Sequence, residues 1–309
     1  MDTDPSTDTG EYLDTDPGLP PLPGPHPPID PVRVDWAALS HPGLIRPANE
    51  DHYLLARAGR FLRTAATSLP DGCVPDELGD EVYAIAVADG MGGEAGGEAA
   101  SRLAITFLLR LVLGTPDWVL GLGKAEVEEF LDRAARRFRA VNEAVLDRAG
   151  RARHLSGMGT TLTLAWSLGA ELFVANVGDA RAYLLRGGVL RRLTRDHTVA
   201  QALADAGHIL PEEVATHHLR HVLTRVIGRQ GKGEPEVHRV RLADGDRLLV
   251  CTDGLTDMSG DGAIAAELGR GVPAGETCRG LIDLALRGGG RDNVTAAVAD
   301  YRIAPRLPR

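Results

Sequence analysis

Lysine is nearly missing from this chain: of 34 basic residues only Lys124 and Lys232 are lysine, and the other 32 are arginine. That skew fits a GC-rich coding sequence and implies no binding surface. Cysteine is also scarce. Cys73, Cys251 and Cys278 form an odd, widely spaced set, which excludes a disulfide framework and a CxxC metal knuckle. No apolar run approaches the roughly 18 residues that a membrane helix needs, and the N-terminal stretch lacks the basic and apolar regions of a secretory signal. The chain ends soon after its last expected strand, at Tyr301. The sequence therefore reads as a cytoplasmic protein with no receptor, anchor or sensor attached.

Several catalytic signatures are missing as well. There is no H-E-x-x-H, no G-x-S-x-G and no G-x-x-x-x-G-K-[ST], so zinc-protease, α/β-hydrolase and P-loop chemistry lack their marks. No cysteine is followed six residues later by arginine, which removes the cysteine-nucleophile phosphatases. His217, His218 and His221 cluster, but without a cysteine or acid at ligand spacing they read as surface or flap residues rather than a zinc site.

What is present is a globular body with a distinct leader. Residues 1–31 hold seven acidic residues, no basic ones and nine of the 19 prolines, with Asp-Thr-Asp-Pro at both 2–5 and 14–17. Such a segment buries too little apolar surface to offset its ordering entropy, so 1–32 reads as a disordered tail. The remainder, 36 acidic against 34 basic residues, is nearly neutral and lacks the basic footprint of a nucleic-acid binder. With 43% hydrophobic residues over 309 it supports a substantial core, placed at 33–303 with a short tail at 304–309.

Along that body the patterning predicts strands at 51–58 and 82–89, joined by a loop rich in turn residues. Helices are predicted at 98–113 and 124–149, the second with Val127, Phe130, Leu131, Ala134, Phe138, Val141 and Val145 on one face. A meander spans 160–193, and Asp196 or Thr198 caps a helix running to Gly207. A hairpin-like pair at 237–243 and 247–252 crosses Asp244-Gly245, followed by a helix near 275–287 and a strand at 293–301. Paired helices with antiparallel strands imply an α+β layered sandwich rather than a doubly wound sheet.

Three aspartates carry the chemistry. Asp89 ends the run Tyr83–Ala88, Asp253 ends Leu248–Thr252, and Asp292 opens the run to Val298, each at the end of what reads as a buried strand. Buried carboxylates must be paired or hold metal, and no nearby basic residue pairs Asp89 or Asp253 within their runs. A shared divalent cation is the economical reading, and an oxygen-only set favours magnesium or manganese over zinc. Cys251, two residues before Asp253, reads as a small buried residue. Gly90-Met-Gly92-Gly93-Glu94-Ala95 matches the dinucleotide pattern G-x-G-x-x-A, but the strand before it ends in a charge and no acidic strand end follows about 20 residues later.

Six motifs then occur in order: Arg46-Pro-Ala-Asn-Glu50-Asp51, Ala88-Asp89-Gly90-Met-Gly-Gly93, Gly157-Met-Gly-Thr-Thr161, Asn176-Val-Gly-Asp179-Ala-Arg181, Cys251-Thr-Asp253-Gly254-Leu-Thr-Asp257 and Gly290-Arg-Asp292-Asn293. Over about 33–301 the chain resembles the bacterial branch of the metal-dependent (PPM, type 2C) serine/threonine protein phosphatases. The resemblance implies a four-layer αββα sandwich with a binuclear Mn²⁺ or Mg²⁺ site at one edge. Position by position, it implies that Asp89 bridges the ions, that the Gly90 carbonyl binds one, and that Asp253 and Asp292 complete the other. Asp179 with Asp253 would hold a weaker third ion. Glu50 and Asp51 would orient water, Arg46 would hold phosphate and Asn293 would support the set.

Two ions about 4 Å apart would neutralise a phosphomonoester and generate a bridging hydroxide that attacks phosphorus directly, without a phosphoenzyme. The expected substrates are phosphoserine and phosphothreonine proteins, with a serine/threonine kinase as counterpart and a monomeric enzyme. A phosphoprotein-binding pseudophosphatase and a small-molecule phosphomonoesterase are the alternatives on the same fold. The resemblance departs at Met91 and Glu94, where family branches carry a histidine, so the leaving-group proton is assigned to water or to a flap histidine, His217 or His218. The flap is expected at 196–230.

Overall fold

Two-residue alternation along the buried strands decides which layer each side chain joins. In the computed structural model, which describes residues 32–66, 68, 77–92, 96–114 and 124–303, the strand β3 (Glu77–Ala88) sends Ala86 and Ala88 to one face and Ile85 and Val87 to the other. Both faces are covered, which is why the run reads as continuously apolar. The acidic tail, Cys73, Gly93 and Glu94 lie outside the described residues.

The chain runs β1 (Val32–His41), β2 (His52–Arg63), β3, the short β4 (Gly90–Met91), α1 (Gly96–Leu113), α2 (Lys124–Arg151), β5 (Gly159–Thr160), β6 (Leu162–Leu168), β7 (Glu171–Val177), β8 (Arg181–Arg186) and β9 (Val189–Arg192). It continues with α3 (Val199–Asp205), β10 (Glu236–Arg241), β11 (Arg247–Cys251), α4 (Asp253–Thr256), α5 (Asp261–Leu268), α6 (Ala274–Arg287) and β12 (Val294–Ile303). One five-stranded sheet has the order β10-β7-β6-β3-β2 and the other β1-β12-β11-β8-β9, and every neighbouring pair is antiparallel.

Ile85, Val87, Val174, Leu184, Leu248, Val250, Ala297 and Tyr301 fill the space between the sheets. Ala100, Ala104 and Leu108 of α1 with Phe138, Val141 and Val145 of α2 cover the first sheet through Trp166, Phe173 and Ala175. The side chains of Val127 and Phe130 are not among those described. Ile264, Leu268, Cys278, Leu281 and Ala285 of α5 and α6 cover the second through Leu249, Cys251, Ala296 and Val298. The architecture is the αββα sandwich.

Three details differ from the sequence reading. The segments expected as a hairpin across Asp244-Gly245 part company, with β10 pairing β7 in one sheet and β11 lying between β8 and β12 in the other. The physical reason lies in their patterns. Leu248–Cys251 is buried on both faces and needs a central position, whereas β10 carries only Val237 and Val240 among Glu236, His238, Arg239 and Arg241 and suits an edge. The intervening turn is tied elsewhere, since Asp246 accepts from the Ala243 N–H at 2.8 Å and from Arg186 Nε at 2.8 Å. Likewise 160–193 is not one meander, because the chain changes sheets between β7 and β8. It does so at Gly178, whose φ of 113° and an added Cβ only 2.5 Å from the Thr161 side chain leave room for glycine alone. The first strand, β1, begins at Val32 and was not anticipated. Of the two proposed caps, Thr198 is the one used: its hydroxyl accepts from the Gln201 N–H at 3.2 Å, while Asp196 pairs with Arg181 at 2.8 Å.

Candidate metal centre

Register brings the aspartates together. In the second sheet Cys251 lies opposite both Ala296 and Arg181, so Asp253 (two residues after β11), Asp179 (two before β8) and Asp292 (two before β12) emerge at the same end of neighbouring strands. In the first sheet His52 lies opposite Ala88, which places Asp51 beside Asp89. Five connections thus deliver carboxylates to one edge of the sandwich.

Backbone bonds fix these loops. Thr160 Oγ1 donates to the Asp89 carbonyl at 2.7 Å, the Thr161 N–H donates to the same carbonyl at 2.9 Å, and the Asp89 N–H returns a bond to Thr161 Oγ1 at 3.0 Å. Asn293 accepts the Glu50 N–H at 2.8 Å and donates to the carbonyls of Pro42 and Ala48 at 2.9 and 2.8 Å, locking the 42–50 loop to the entrance of β12. Gly90 and Gly97 approach so closely that a Cβ on Gly90 would lie 2.2 Å from the Gly97 carbonyl, and one on Gly97 would lie 2.5 Å from Glu50 Oε2.

Asp51 is buried, 5% exposed. Its Oδ2 accepts from Thr252 Oγ1 at 2.9 Å and Thr295 Oγ1 at 2.7 Å, whereas Oδ1 is buried with no partner. An orphaned carboxylate oxygen is a place for a cation or water. Burial, acting with the neighbouring charges of Asp253 and Asp292, pushes the Asp51 carboxyl up to about 7 against hydrogen bonds that pull it down. Asp253 is pushed up to about 6 by burial, then by Asp257 and Asp292, with the hydrogen bond to Asp89 and the nearby His221 opposing. Asp89 and Asp179 are raised well above the usual carboxylate range, chiefly by burial and then by the surrounding aspartates. Carboxyls within hydrogen-bond reach of one another cannot all ionise without a compensating cation. The basic partner visible at the cluster is Arg46, whose Nη2 donates to Asp292 Oδ2 at 2.7 Å and whose half-exposed guanidinium faces solvent. This oxygen-donor set, with a bare oxygen inside it, fits hard divalent ions.

Thr252 deserves a role that the sequence reading did not give it. Its hydroxyl donates to Asp51 and accepts the buried Thr295 N–H at 2.9 Å. Thr252→Val removes one of the two donors to Asp51 Oδ2 and leaves the buried Thr295 N–H unpaired, and urea unfolding is expected to show a loss of about 1–3 kcal/mol.

The histidines redistribute. His217 and His218 pack on each other with centroids 4.4 Å apart, and His217 Nδ1 accepts the Leu219 N–H at 3.2 Å. The ring that approaches the carboxylates is His221, 3.6 Å from Asp257, and it remains an exposed residue of the 196–230 segment, as expected for the trio. Its signal could not be found in sequence spacing, because its acidic neighbours lie more than thirty residues away. Cys251 is fully buried, and burial pushes its thiol up to about 12, an inert core residue. Met91 pairs with Gly159 in the β4–β5 ladder.

A carboxylate-lined edge on an αββα sandwich is the hallmark of one class of metal-dependent hydrolases. The chain belongs to the protein phosphatase 2C family, whose family model matches residues 63–274. The serine/threonine protein phosphatase PstP of Mycobacterium tuberculosis is 42% identical over 251 residues, 80% of this chain and 46% of that protein, so the chain spans about half the length of that relative. The serine/threonine phosphatase stp of Listeria innocua is 33% identical over 224 residues, covering 72% of this chain and 86% of its own. Among solved structures, the catalytic domain of PstP in complex with two manganese ions aligns with a TM-score of 0.68 at 34% identity, over 88% of this chain and 100% of that one.

Proposed function

We propose that this chain is a metal-dependent protein serine/threonine phosphatase, and the observation that carries the reading is the cluster of buried Asp51 and Asp179 with half-buried Asp89, Asp253 and Asp292, in which Asp51 Oδ1 has no partner. Asp89, the Gly90 carbonyl, Asp253 and Asp292 are the residues that would hold two Mn²⁺ or Mg²⁺ ions, with Asp179 available to a third. When bound, such ions neutralise a phosphomonoester and activate water near neutral pH.

The protein's own groups supply placement. Arg46 sits at the solvent face of the cluster, where its planar fork can release Asp292 and take two phosphoryl oxygens. Glu50, held above its usual range chiefly by burial, and Asp51 would orient water, with Asn293 fixing the Glu50 backbone. The substrates are phosphorylated proteins, including a serine/threonine kinase, and the enzyme works as a cytoplasmic monomer. Among the described residues no helix is long and apolar enough to cross a membrane.

Release of inorganic phosphate from a phosphothreonine peptide tests the reading. Turnover is expected with Mn²⁺ and lost with EDTA. Arg46→Ala in the same assay should lower kcat/KM by roughly 10- to 100-fold, the worth of one charge-assisted phosphate contact. A chain that binds manganese yet releases no phosphate from peptides would overturn the reading.

A further inference from the structure

Strand alternation sends neighbouring residues at the start of β2 in opposite directions. Asp51 faces the second sheet, where Thr252 and Thr295 donate to one of its oxygens at 2.9 and 2.7 Å. His52, on the same face as Leu54, turns toward α1 instead, and its Nδ1 lies 3.0 Å from the hydroxyl of Ser101. Ser101 is fully buried. Its Oγ stands 2.6 Å from the Glu50 carbonyl oxygen, closer than to the Gly97 and Glu98 carbonyls of its own helix at 3.1 and 3.2 Å. We propose that His52 and Ser101 are positioning residues for phosphate-ester hydrolysis: the ring donates from Nδ1 to the Ser101 hydroxyl, which donates in turn to the Glu50 carbonyl and fixes the peptide that aims the Glu50 and Asp51 carboxylates. This role rests on the phosphatase reading, in which those two carboxylates orient water.

Proton counting gives the relay its direction. A hydroxyl has one hydrogen to donate and two lone pairs with which to accept. Two oxygens 2.6 Å apart need a proton between them, so the Ser101 hydrogen goes to Glu50. The hydroxyl then presents a lone pair to His52, and a second lone pair on Nδ1 would repel it, so Nδ1 carries the ring hydrogen. Burial, opposed by Glu98 and seconded by Arg102, holds the ring below its ordinary value, which leaves it neutral near pH 7 with a single N–H to place. The histidine is thereby held as one tautomer.

The Glu50 peptide is gripped from two sides. Its N–H donates to Asn293 Oδ1 at 2.8 Å, at the entrance of β12, and its carbonyl receives Ser101 from α1. Between these grips the carboxylate stands over Gly97, where an added Cβ would lie 2.5 Å from Glu50 Oε2. Losing the Ser101 proton frees the α1 side of the grip, and a misplacement of about 1 Å in an orienting group costs up to roughly a hundredfold in rate.

Steady-state hydrolysis of a phosphothreonine peptide at saturating Mn²⁺, run below the unfolding onset of every variant, tests the clamp. The asparagine amide nitrogen overlies Nδ1 and the glutamine amide nitrogen overlies Nε2, so His52→Asn keeps the donor and His52→Gln removes it. His52→Gln and His52→Ala are expected to lower kcat by roughly tenfold with KM and calorimetric Mn²⁺ affinity unaltered, and His52→Asn to restore most of that loss. Ser101→Ala should cost as much as His52→Ala, and the double variant no more than either, because the ring acts through the hydroxyl. Equal turnover in His52→Asn and His52→Gln would overturn the proposal, as would a further tenfold loss, roughly, when His52→Ala is added to Ser101→Ala. Proton–nitrogen spectra of the wild type, with the His52 ring assigned by its loss in His52→Asn, give a readout independent of activity: the hydrogen is expected on Nδ1. A ring protonated at Nε2 in an active enzyme condemns this inference alone. A wild type that releases no phosphate from any phosphopeptide condemns the phosphatase reading, whatever the ring shows.

Discussion

Asp89→Asn is expected to abolish most phosphate release, by roughly a thousandfold or more, and at the same time to raise the unfolding midpoint of the metal-free protein. The first effect follows from losing a carboxylate on which the charges of all four others act. Divalent-ion catalysis is worth several kcal/mol, each 1.36 kcal/mol being about tenfold in rate. The second follows from the same geometry. Asp89 is half-buried, and its ionised form is opposed by desolvation and by the charges of Asp51, Asp253, Asp179 and Asp292. An amide of the same shape keeps the backbone bonds to Thr160 and Thr161 and removes the repulsion. Phosphopeptide turnover and calorimetric melting in EDTA read the two effects separately. A variant that loses activity and also melts lower would show that Asp89 is a structural carboxylate with a satisfied charge.

The second large effect is a pH dependence that manganese should reverse. Asp51 is raised from an ordinary 3.8 to about 7, and Asp253 from 3.8 to about 6. A carboxyl that holds its proton more tightly in the folded state stabilises the fold fully below its ordinary value, and that stability is lost as pH rises through the folded value. The metal-free protein should therefore lose on the order of a few kcal/mol between about pH 4 and pH 8. Divalent ions bind the ionised form, so their stabilisation grows over the same interval. Melting curves at several pH values with EDTA and with Mn²⁺ should diverge toward high pH. A midpoint in EDTA that stays level or climbs from pH 5 to pH 8 would contradict the charge-repulsion account.

Charges at strand ends made much of the edge legible in the sequence, because Asp89, Asp253 and Asp292 interrupt apolar runs where an unpaired carboxylate is costly. The α+β sandwich was legible for a related reason, since paired helices and short antiparallel strands allow few layerings. What stayed hidden was layer assignment. A period-two pattern says that Leu248 and Leu249 face opposite ways, yet not that β10 and β11 lie in different sheets. β1 alternates Val32, Val34 and Trp36 with polar residues, a strand pattern that went unread beside the proline-rich leader. Contacts made only by tertiary folding were equally invisible: the threonine pair that grips one oxygen of Asp51 and the approach of His221 to Asp257 join residues far apart in the chain.

The last strand, β12, is laid between β1 and β11 rather than added at an edge. Synthesis proceeds from the N-terminus, so a chain still leaving the ribosome has β1 and β11 without the strand that joins them, and lacks Asp292 and Asn293 at its entrance. The carboxylate edge is therefore complete only once β12 has been made and inserted, so the five aspartates cannot repel one another at full strength in any shorter nascent chain.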